Sequence, residues 1–406
     1  MYRAEDRPAL RYPVRGSRAM EPPAEWAALR EGCPVAHVSL PSGDPATLLT
    51  RYEDVRRMLR DDSLRRVLDA DDAARIADDE TGGVFNSDMA RAIPDHGDAH
   101  LRWWRMVGAW FTDERMAALR PGIEAMAEKL VDDMIAHGHP ADLGAHLAFS
   151  LPVWVICDLL GIPDADRDRF AHWSDTLLNL TRYTQEEVDR AQDDFVDYMA
   201  AHVWAKRAAP GRDLLGALVV ARDSDGRRLS ERELVFTGQA LLLAGHETTA
   251  SMIGKMVALL LADRRRWERL LADPALVPLA VEEVLRFDAE PGIGLPRYLD
   301  AETVVAGTVL PPGTTVLCGM AAANRDETAF DTPGELTLDR SPNPHLAFGA
   351  GSRSCLERSL ARTELRTVLD VLLRRLPSLE LAAPAADLRR LEGLAVGGLS
   401  EVPVRW

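Results

Sequence analysis

Apolar residues recur at intervals of three and four through most of the chain, the spacing of amphipathic helices. After Tyr52, for example, Val55, Met58 and Leu59 fall on one helical face. Short β-branched runs interrupt this pattern at 47–50 and again between 303 and 319, where glycines and prolines mark turns. The pattern predicts a mainly α protein with a small β-rich part.

The longest helical stretch is expected at 234–262, a run without proline that would span about 44 Å. Ser230 and Glu233 precede it in the spacing of a capping box. Its apolar sequence is interrupted by Gln239, His246, Glu247 and Lys255. Because ionisable groups are costly inside a bilayer, the stretch is predicted to cross a protein core and not a membrane.

Length and composition fit one globular domain over residues 1–406, since the chain is 47% hydrophobic and 28% charged. A net charge of −16 disfavours nucleic acid as a partner. The N-terminal residues contain no apolar stretch resembling a signal peptide or an anchor, so we expect a cytoplasmic protein. The cysteines, at 33, 157, 318 and 355, form no CxxC pair, which argues against disulfides and zinc.

The middle of the long helix carries the sequence LLAGHETTA. Ala244 and Gly245 lack bulk, which would let a flat ligand approach the backbone, and Glu247 and Thr248 place an acid and a hydroxyl beside that gap. The alternative is a polar patch between helices, with hydroxyls bonded to carbonyls one turn earlier.

One further segment predicts an ion pair. Glu283 and Arg286, three residues apart on a predicted helix, can form a bidentate ion pair of structural character.

The segment FGAGSRSC could hold a large planar group. Its glycines leave room for such a group, and Phe348 offers an aromatic face to pack against it. Cys355 directly precedes a helix predicted at 356–373. The start of a helix favours a thiolate, which is the proximal ligand that a haem iron needs.

Together these motifs resemble those of the cytochrome P-450 haem-thiolate monooxygenases, in particular the soluble bacterial members. AGHET at 244–248, EVLR at 283–286 and FGAGSRSC at 348–355, followed by LAR at 360–362, occur in the order and at the spacing of that family. The resemblance covers nearly the whole chain. It implies the P-450 fold, with haem b between the long central helix and the helix after the cysteine.

The resemblance also implies roles for individual residues. Cys355 would be the iron ligand, and Glu247 and Thr248 would relay protons to dioxygen bound at the iron. A buried network bracing the haem loop would consist of Glu283, Arg286 and Arg340. The haem propionates would be held by His100, Arg297, His345 and Arg353. Close haem contacts would come from Phe348, Gly349, Ala244 and Gly245.

Two positions depart from the family pattern. Trp104 stands where the family usually has an arginine that binds a propionate, and Arg102 or Arg105 is expected to take over that contact. Glu357 stands where the family nearly always has glycine. It is either a solvated carboxylate at the helix start or a charge that lowers the reduction potential of the haem.

By the same resemblance, the substrate pocket should be mostly apolar, which suits a medium-sized organic molecule of secondary metabolism. The expected lining residues are Phe85, Asn86, Ile93, Leu178, Thr181, Leu241, Ile293 and Val396. A basic stripe of Arg358, Arg362 and Arg366 is expected to dock an acidic ferredoxin, which would pass on electrons from NAD(P)H and a ferredoxin reductase. A monomer is expected.

Three functions fit these residues. The first is a monooxygenase that inserts one oxygen atom into its substrate. The second uses the same oxidant to couple carbon to carbon or nitrogen without retaining oxygen. The third is a haem-binding sensor without turnover, which AGHET disfavours because a sensor has no use for a proton relay.

Overall fold

The computed structural model describes residues 10–14, 18–66, 68–78, 85–179, 182–289, 293–391 and 396–406. Helices dominate these ranges and the strands are short, so the predicted fold class is confirmed. The helices are α1 (Ala24–Gly32), α2 (Tyr52–Arg60), α3 (Asp88–Ala92), α4 (Gly97–Gly108), α5 (Asp113–His137), α6 (Ser150–Leu160), α7 (Arg167–Leu178), α8 (Gln185–Ala208), α9 (Leu214–Val220), α10 (Glu231–Leu261), α11 (Arg264–Ala272), α12 (Val277–Phe287), α13 (Met320–Ala323) and α14 (Arg358–Arg375).

The β-rich segments from the two ends of the chain meet in one sheet. The strands are β1 (Leu10–Arg11), β2 (Val35–Ser39), β3 (Pro45–Leu49), β4 (Ala141–Asp142), β5 (Leu295–Tyr298), β6 (Thr303–Val305), β7 (Thr308–Leu310), β8 (Thr315–Cys318), β9 (Glu380–Leu381) and β10 (Pro403–Arg405). The five-stranded sheet has the order β1-β2-β3-β8-β5, in which β3 and β8 run parallel with Thr47 opposite Val316. This pairing joins the two β regions that the sequence predicts separately.

Helix α10 crosses the centre of the helical part. Its N-terminus has the predicted capping box, since Ser230 Oγ accepts from the Glu233 amide and the Glu233 carboxylate accepts from the Ser230 amide. Most of its residues are buried, and it packs against α6, α8 and α14. A helix that is apolar on all sides is stable only when it is surrounded by protein, as α10 is. Within the described ranges, no helix is long and apolar enough to cross a membrane.

Helix α14 begins at Arg358, two residues after the predicted start. The preceding loop contains a short 3₁₀ turn, Gly351–Arg353. Gly351 has a φ of +80°, and a Cβ at that position would lie 2.9 Å from the Arg60 Cα. Residue 351 therefore has to be glycine for the cysteine loop to pack against α2.

Candidate active site

A cavity of about 390 Å³ lies between the middle of α10 and the cysteine loop with the start of α14. Its wall includes Ala244 and Gly245 from α10 and Phe348, Gly349 and Cys355 from the loop. Ala244 is exposed although its neighbours on α10 are buried, because it faces this space. The AGHET and cysteine motifs, about 100 residues apart in sequence, thus face one another across one cavity.

The Cys355 thiol lies in the wall of this cavity, and the Cys355 amide donates to the Phe348 carbonyl at 2.7 Å. Burial raises the pKa of Cys355 to about 12, and the Glu357 carboxylate acts in the same direction. The Glu357 amide, Arg358 and Arg362 oppose this rise without cancelling it. The helix start therefore does not stabilise a thiolate by itself, contrary to expectation; ligation to a metal ion, which displaces the thiol proton, would do so.

The predicted ion pair on α12 is the centre of a fully buried network. Two nitrogens of Arg286, Nε and Nη2, each donate to Glu283 at 2.8 Å, and both side chains are 0% exposed. Arg286 also donates to the carbonyls of Asn324 and Pro333 at 2.9 and 3.0 Å. Arg340 Nε donates to Glu283 at 3.0 Å. The network ties α12 to the segment that leads into the cysteine loop.

Three of the residues expected at the propionates, His100, Arg297 and Arg353, line the cavity. In each of them one nitrogen, Nε2 of the histidine or Nε of the arginine, is buried without a hydrogen-bond partner. The remaining bonds go to carbonyls, such as His100 Nδ1 with the Pro94 carbonyl at 2.9 Å and Arg297 Nη1 with the Pro296 carbonyl at 2.8 Å. Burial lowers the pKa of His100. Because Nδ1 donates to a carbonyl, Nε2 can donate only when the ring is protonated, a form that a bound carboxylate favours. The two unpartnered arginine donors and this histidine, beside a buried thiol, fit haem b.

The prediction for His345 is wrong. Its Nε2 bonds to Glu282 at 3.1 Å, its Nδ1 accepts from the Ala347 amide at 3.2 Å, and it does not line the cavity. Glu282 also accepts two bonds from Arg362, at 2.8 and 2.7 Å, and one from Arg366 at 3.1 Å. Two of the three arginines in the expected basic stripe therefore share one carboxylate, which balances one of their two charges, and Arg358 remains exposed.

The expected proton-relay residues occupy different surroundings. Thr248 lines the cavity, and its Oγ1 donates to the Ala244 carbonyl at 2.7 Å, which is the back-bonded geometry of the alternative interpretation. Glu247 does not line the cavity; its carboxylate lies 3.6 Å from Nε2 of the buried His246. A path from Glu247 to the cavity therefore requires a side-chain rotation.

Glu357 is buried, so the expectation of a solvated carboxylate is wrong. Its Oε1 has no hydrogen-bond partner and lies 3.0 Å from where a Cβ on residue 245 would be. Burial raises the pKa of Glu357 to about 8, which disfavours the ionised form and so weakens the negative charge beside the thiol. Gly245 makes room for Glu357 as well as for a flat ligand.

Most of the expected substrate-pocket residues reach the cavity. Its wall includes Phe85, Ile93, Leu178, Leu241 and Val396. Two predictions are wrong: Ile293 packs into a separate core cluster, and Asn86 donates to the Leu68 carbonyl at 2.8 Å, neither lining the cavity. Thr181 lies outside the described residues.

Neither arginine expected to replace the missing one at position 104 can reach the cavity. Arg102 Nη2 donates to Glu233 at 2.7 Å, and its Nη1 lies 3.8 Å from Asp223. Arg105 is exposed and donates to the Leu101 carbonyl. The sequence interpretation also missed several wall residues, namely Arg66, Met89, Trp103, Met252 and Glu364. No motif marks them; helical spacing from Thr248 would have found Met252, which is four residues further on.

Comparisons with known proteins show the family of this chain. The family model for cytochrome P450 matches residues 262–382. Mycinamicin IV hydroxylase/epoxidase of Micromonospora griseorubida is 40% identical over 97% of this chain and 98% of its own. Nocardicin C N-oxygenase of Nocardia uniformis subsp. tsuyamanensis is 38% identical over the same shares. The crystal structure of a putative thioether synthase involved in the tailoring step of griseoviridin matches with a TM-score of 0.92 and 36% identity, covering 98% of this chain and 100% of that one. The chain therefore belongs to the cytochrome P450 family and is a haem b monooxygenase.

Proposed function

We propose that this protein oxygenates a medium-sized, mostly apolar organic molecule of bacterial secondary metabolism. The observation that carries the proposal is the single cavity that joins Cys355, Thr248 and an apolar wall of Phe85, Ile93 and Leu241. A mostly apolar pocket with few polar groups suits such a molecule.

The proposed roles follow from where the side chains lie. When bound, haem b supplies the activation of dioxygen. Cys355 holds the iron through sulfur, and His100, Arg297 and Arg353 orient the macrocycle through their unpartnered nitrogens. The buried Glu283 network fixes the approach to the cysteine loop.

Proton delivery is assigned to Thr248 and Glu247. Thr248 lines the cavity, and its hydroxyl donates to the Ala244 carbonyl. Rotation about χ1 breaks that hydrogen bond and directs the hydroxyl into the cavity. Glu247, which is one-fifth exposed, connects this hydroxyl to solvent when its carboxylate turns away from His246. A positioned proton-transfer group typically contributes ~10²–10⁴-fold in rate.

One structural comparison favours oxidative coupling as a second reaction of the same haem chemistry. The structural neighbour with a TM-score of 0.92 is described as a putative thioether synthase, a bond-forming enzyme. Oxidative coupling without oxygen insertion is therefore the alternative for this chain. Product mass separates the two outcomes, because hydroxylation adds one oxygen and coupling removes hydrogen.

We further propose that a ferredoxin delivers electrons from NAD(P)H through a ferredoxin reductase, and that the protein is a cytoplasmic monomer. Since Arg362 and Arg366 are held by Glu282, Arg358 is the member of the basic stripe that is free to meet an acidic partner.

The test is a substrate-binding screen read from the Soret band, followed by mass spectrometry of turnover products. Leu241→Phe, which narrows the cavity, should weaken binding of the molecule identified or change its product ratio. Leu391→Phe is the matched control, because Leu391 is 44% exposed and does not line the cavity. If binding and products are identical in Leu241→Phe and wild type, this cavity does not hold the substrate.

A further inference from the structure

One corner of the cavity carries more positive charge than the protein itself balances. Arg66, Arg297 and Arg353 all line the cavity, and their guanidinium groups interact electrostatically with one another. The buried carboxylate beside them is Asp95, and the exposed Asp61 also acts on Arg297. Three cations against the one buried carboxylate leave an excess of two positive charges, which an exposed carboxylate in water screens only weakly.

Arg66 is held in this corner by its backbone. Its amide donates to Asp95 Oδ2 at 3.0 Å, while Arg353 anchors the same segment by donating to the carbonyls of Leu64 and Asp62. The Arg66 guanidinium itself makes no hydrogen bond to any residue in the described part of the chain. Arg66 is half-buried and lines the cavity, so the five donors of its guanidinium are available to an anion bound there.

Position 104, where the family usually has an arginine, carries no cation in this chain. Trp104 lines the cavity with its Nε1–H buried and without a partner, and Arg102 and Arg105 are directed elsewhere. Without Arg66, this corner would therefore face the two carboxylates of haem b with an excess of a single charge.

We propose that Arg66 is a haem-propionate-binding residue that supplies the charge missing at position 104. Two propionates are the dianion that balances the corner, and a guanidinium binds a carboxylate through two parallel N–H donors. The Trp104 indole is a neutral donor in the wall of the same cavity. Arg66 has no counterpart among the motifs, so the sequence alone did not indicate it.

The electrostatics of Arg66 support this role. Burial lowers the pKa of Arg66 to about 10, Arg297 and Arg353 lower it further, and Asp95 opposes them. A bound carboxylate would reverse the balance by favouring the charged form.

The test compares Arg66→Gln with Arg65→Gln in the substrate-free ferric holoenzyme. Arg65 is the matched control, because it is the adjacent arginine, is paired with Asp69 and Asp300, and does not line the cavity. Transfer of haem to excess apomyoglobin should be roughly tenfold to hundredfold faster in Arg66→Gln, the range expected for one charge-assisted hydrogen bond. The propionate bending bands in the resonance Raman spectrum should also shift, and Arg65→Gln should change neither property.

If Arg66→Gln incorporates no haem, Arg66→Lys replaces it in the test. Lysine keeps the positive charge but lacks the two parallel N–H donors of arginine, so Arg66→Lys should again transfer haem faster than wild type. Wild-type transfer rates and unshifted propionate bands would overturn the proposal. A change confined to substrate affinity would overturn it too, by assigning Arg66 to a substrate carboxylate. The inference rests on Cys355 holding the haem, and a normal reduced carbon monoxide band in Arg66→Gln shows that this assignment stands whichever result is found.

Discussion

Glu282 bonds to two arginines and a histidine at the junction of α12 and α14, and this predicts a specific loss of stability in acid. Burial of Glu282 raises its pKa, but hydrogen bonds from His345 and Arg362 outweigh burial and lower the pKa from 4.5 to about 2. The carboxylate is 18% exposed, so solvent screens these interactions little. Glu282 should therefore stabilise the folded state only while it is ionised.

The size of the effect follows from the two pKa values. At about 1.4 kcal/mol per pH unit, a fall from 4.5 to about 2 corresponds to on the order of 3 kcal/mol. Because the folded pKa is the lower one, this stability is fully present above pH 4.5 and is lost as the pH falls toward 2. Roughly 1 kcal/mol of it should be gone by pH 3.5.

The assay is urea unfolding of wild type and Glu282→Gln between pH 7 and pH 3.5, followed by circular dichroism. The difference in unfolding free energy between the two proteins should shrink as the pH falls. Glu53→Gln is the control, because Glu53 is 69% exposed and pairs with Arg56 on the surface of α2. A difference that stays constant across this pH range would refute the reasoning.

Three further predictions follow from the site. Thr248→Ala should lower product formed per electron consumed and release peroxide with substrate affinity little changed; full coupling would contradict the proton-relay role. Glu283→Gln should lower the free energy of unfolding by about 3–5 kcal/mol and reduce haem content, because it leaves Arg286 buried without its counter-charge. An unchanged midpoint of urea unfolding would be inconsistent with the network. Arg358→Glu should lower the rate at which a ferredoxin reduces the haem at low salt. Arg366→Glu should lower that rate less, when the two variants are compared under conditions in which both are folded. Identical reduction rates in wild type and Arg358→Glu would exclude docking at α14.

The sequence predicts the parts of this site that depend on local spacing. The capping box at Ser230, the ion pair of Glu283 with Arg286 and the cysteine loop all involve residues a few positions apart, and the structure has each of them. The apolar spacing of α10 likewise predicts a helix through the core.

The sequence does not predict side-chain partners that come from distant segments. His345 resembles a propionate ligand by position, but Glu282, which is 63 residues away, binds its ring. Glu357 looks like a solvated residue at a helix start, yet α10 packs over it and buries it. Arg66 belongs to no motif, and its role depends on Arg297 and Arg353 meeting it in three dimensions.

The central claim is that Cys355 binds the haem iron through sulfur, and the carbon monoxide difference spectrum of the reduced protein tests it most directly. Wild type should show the absorption band that gives the family its name, and so should Cys33→Ala, in which an exposed cysteine outside the cavity is removed. Cys355→Ala should lose that band. A normal band in Cys355→Ala would contradict the assignment.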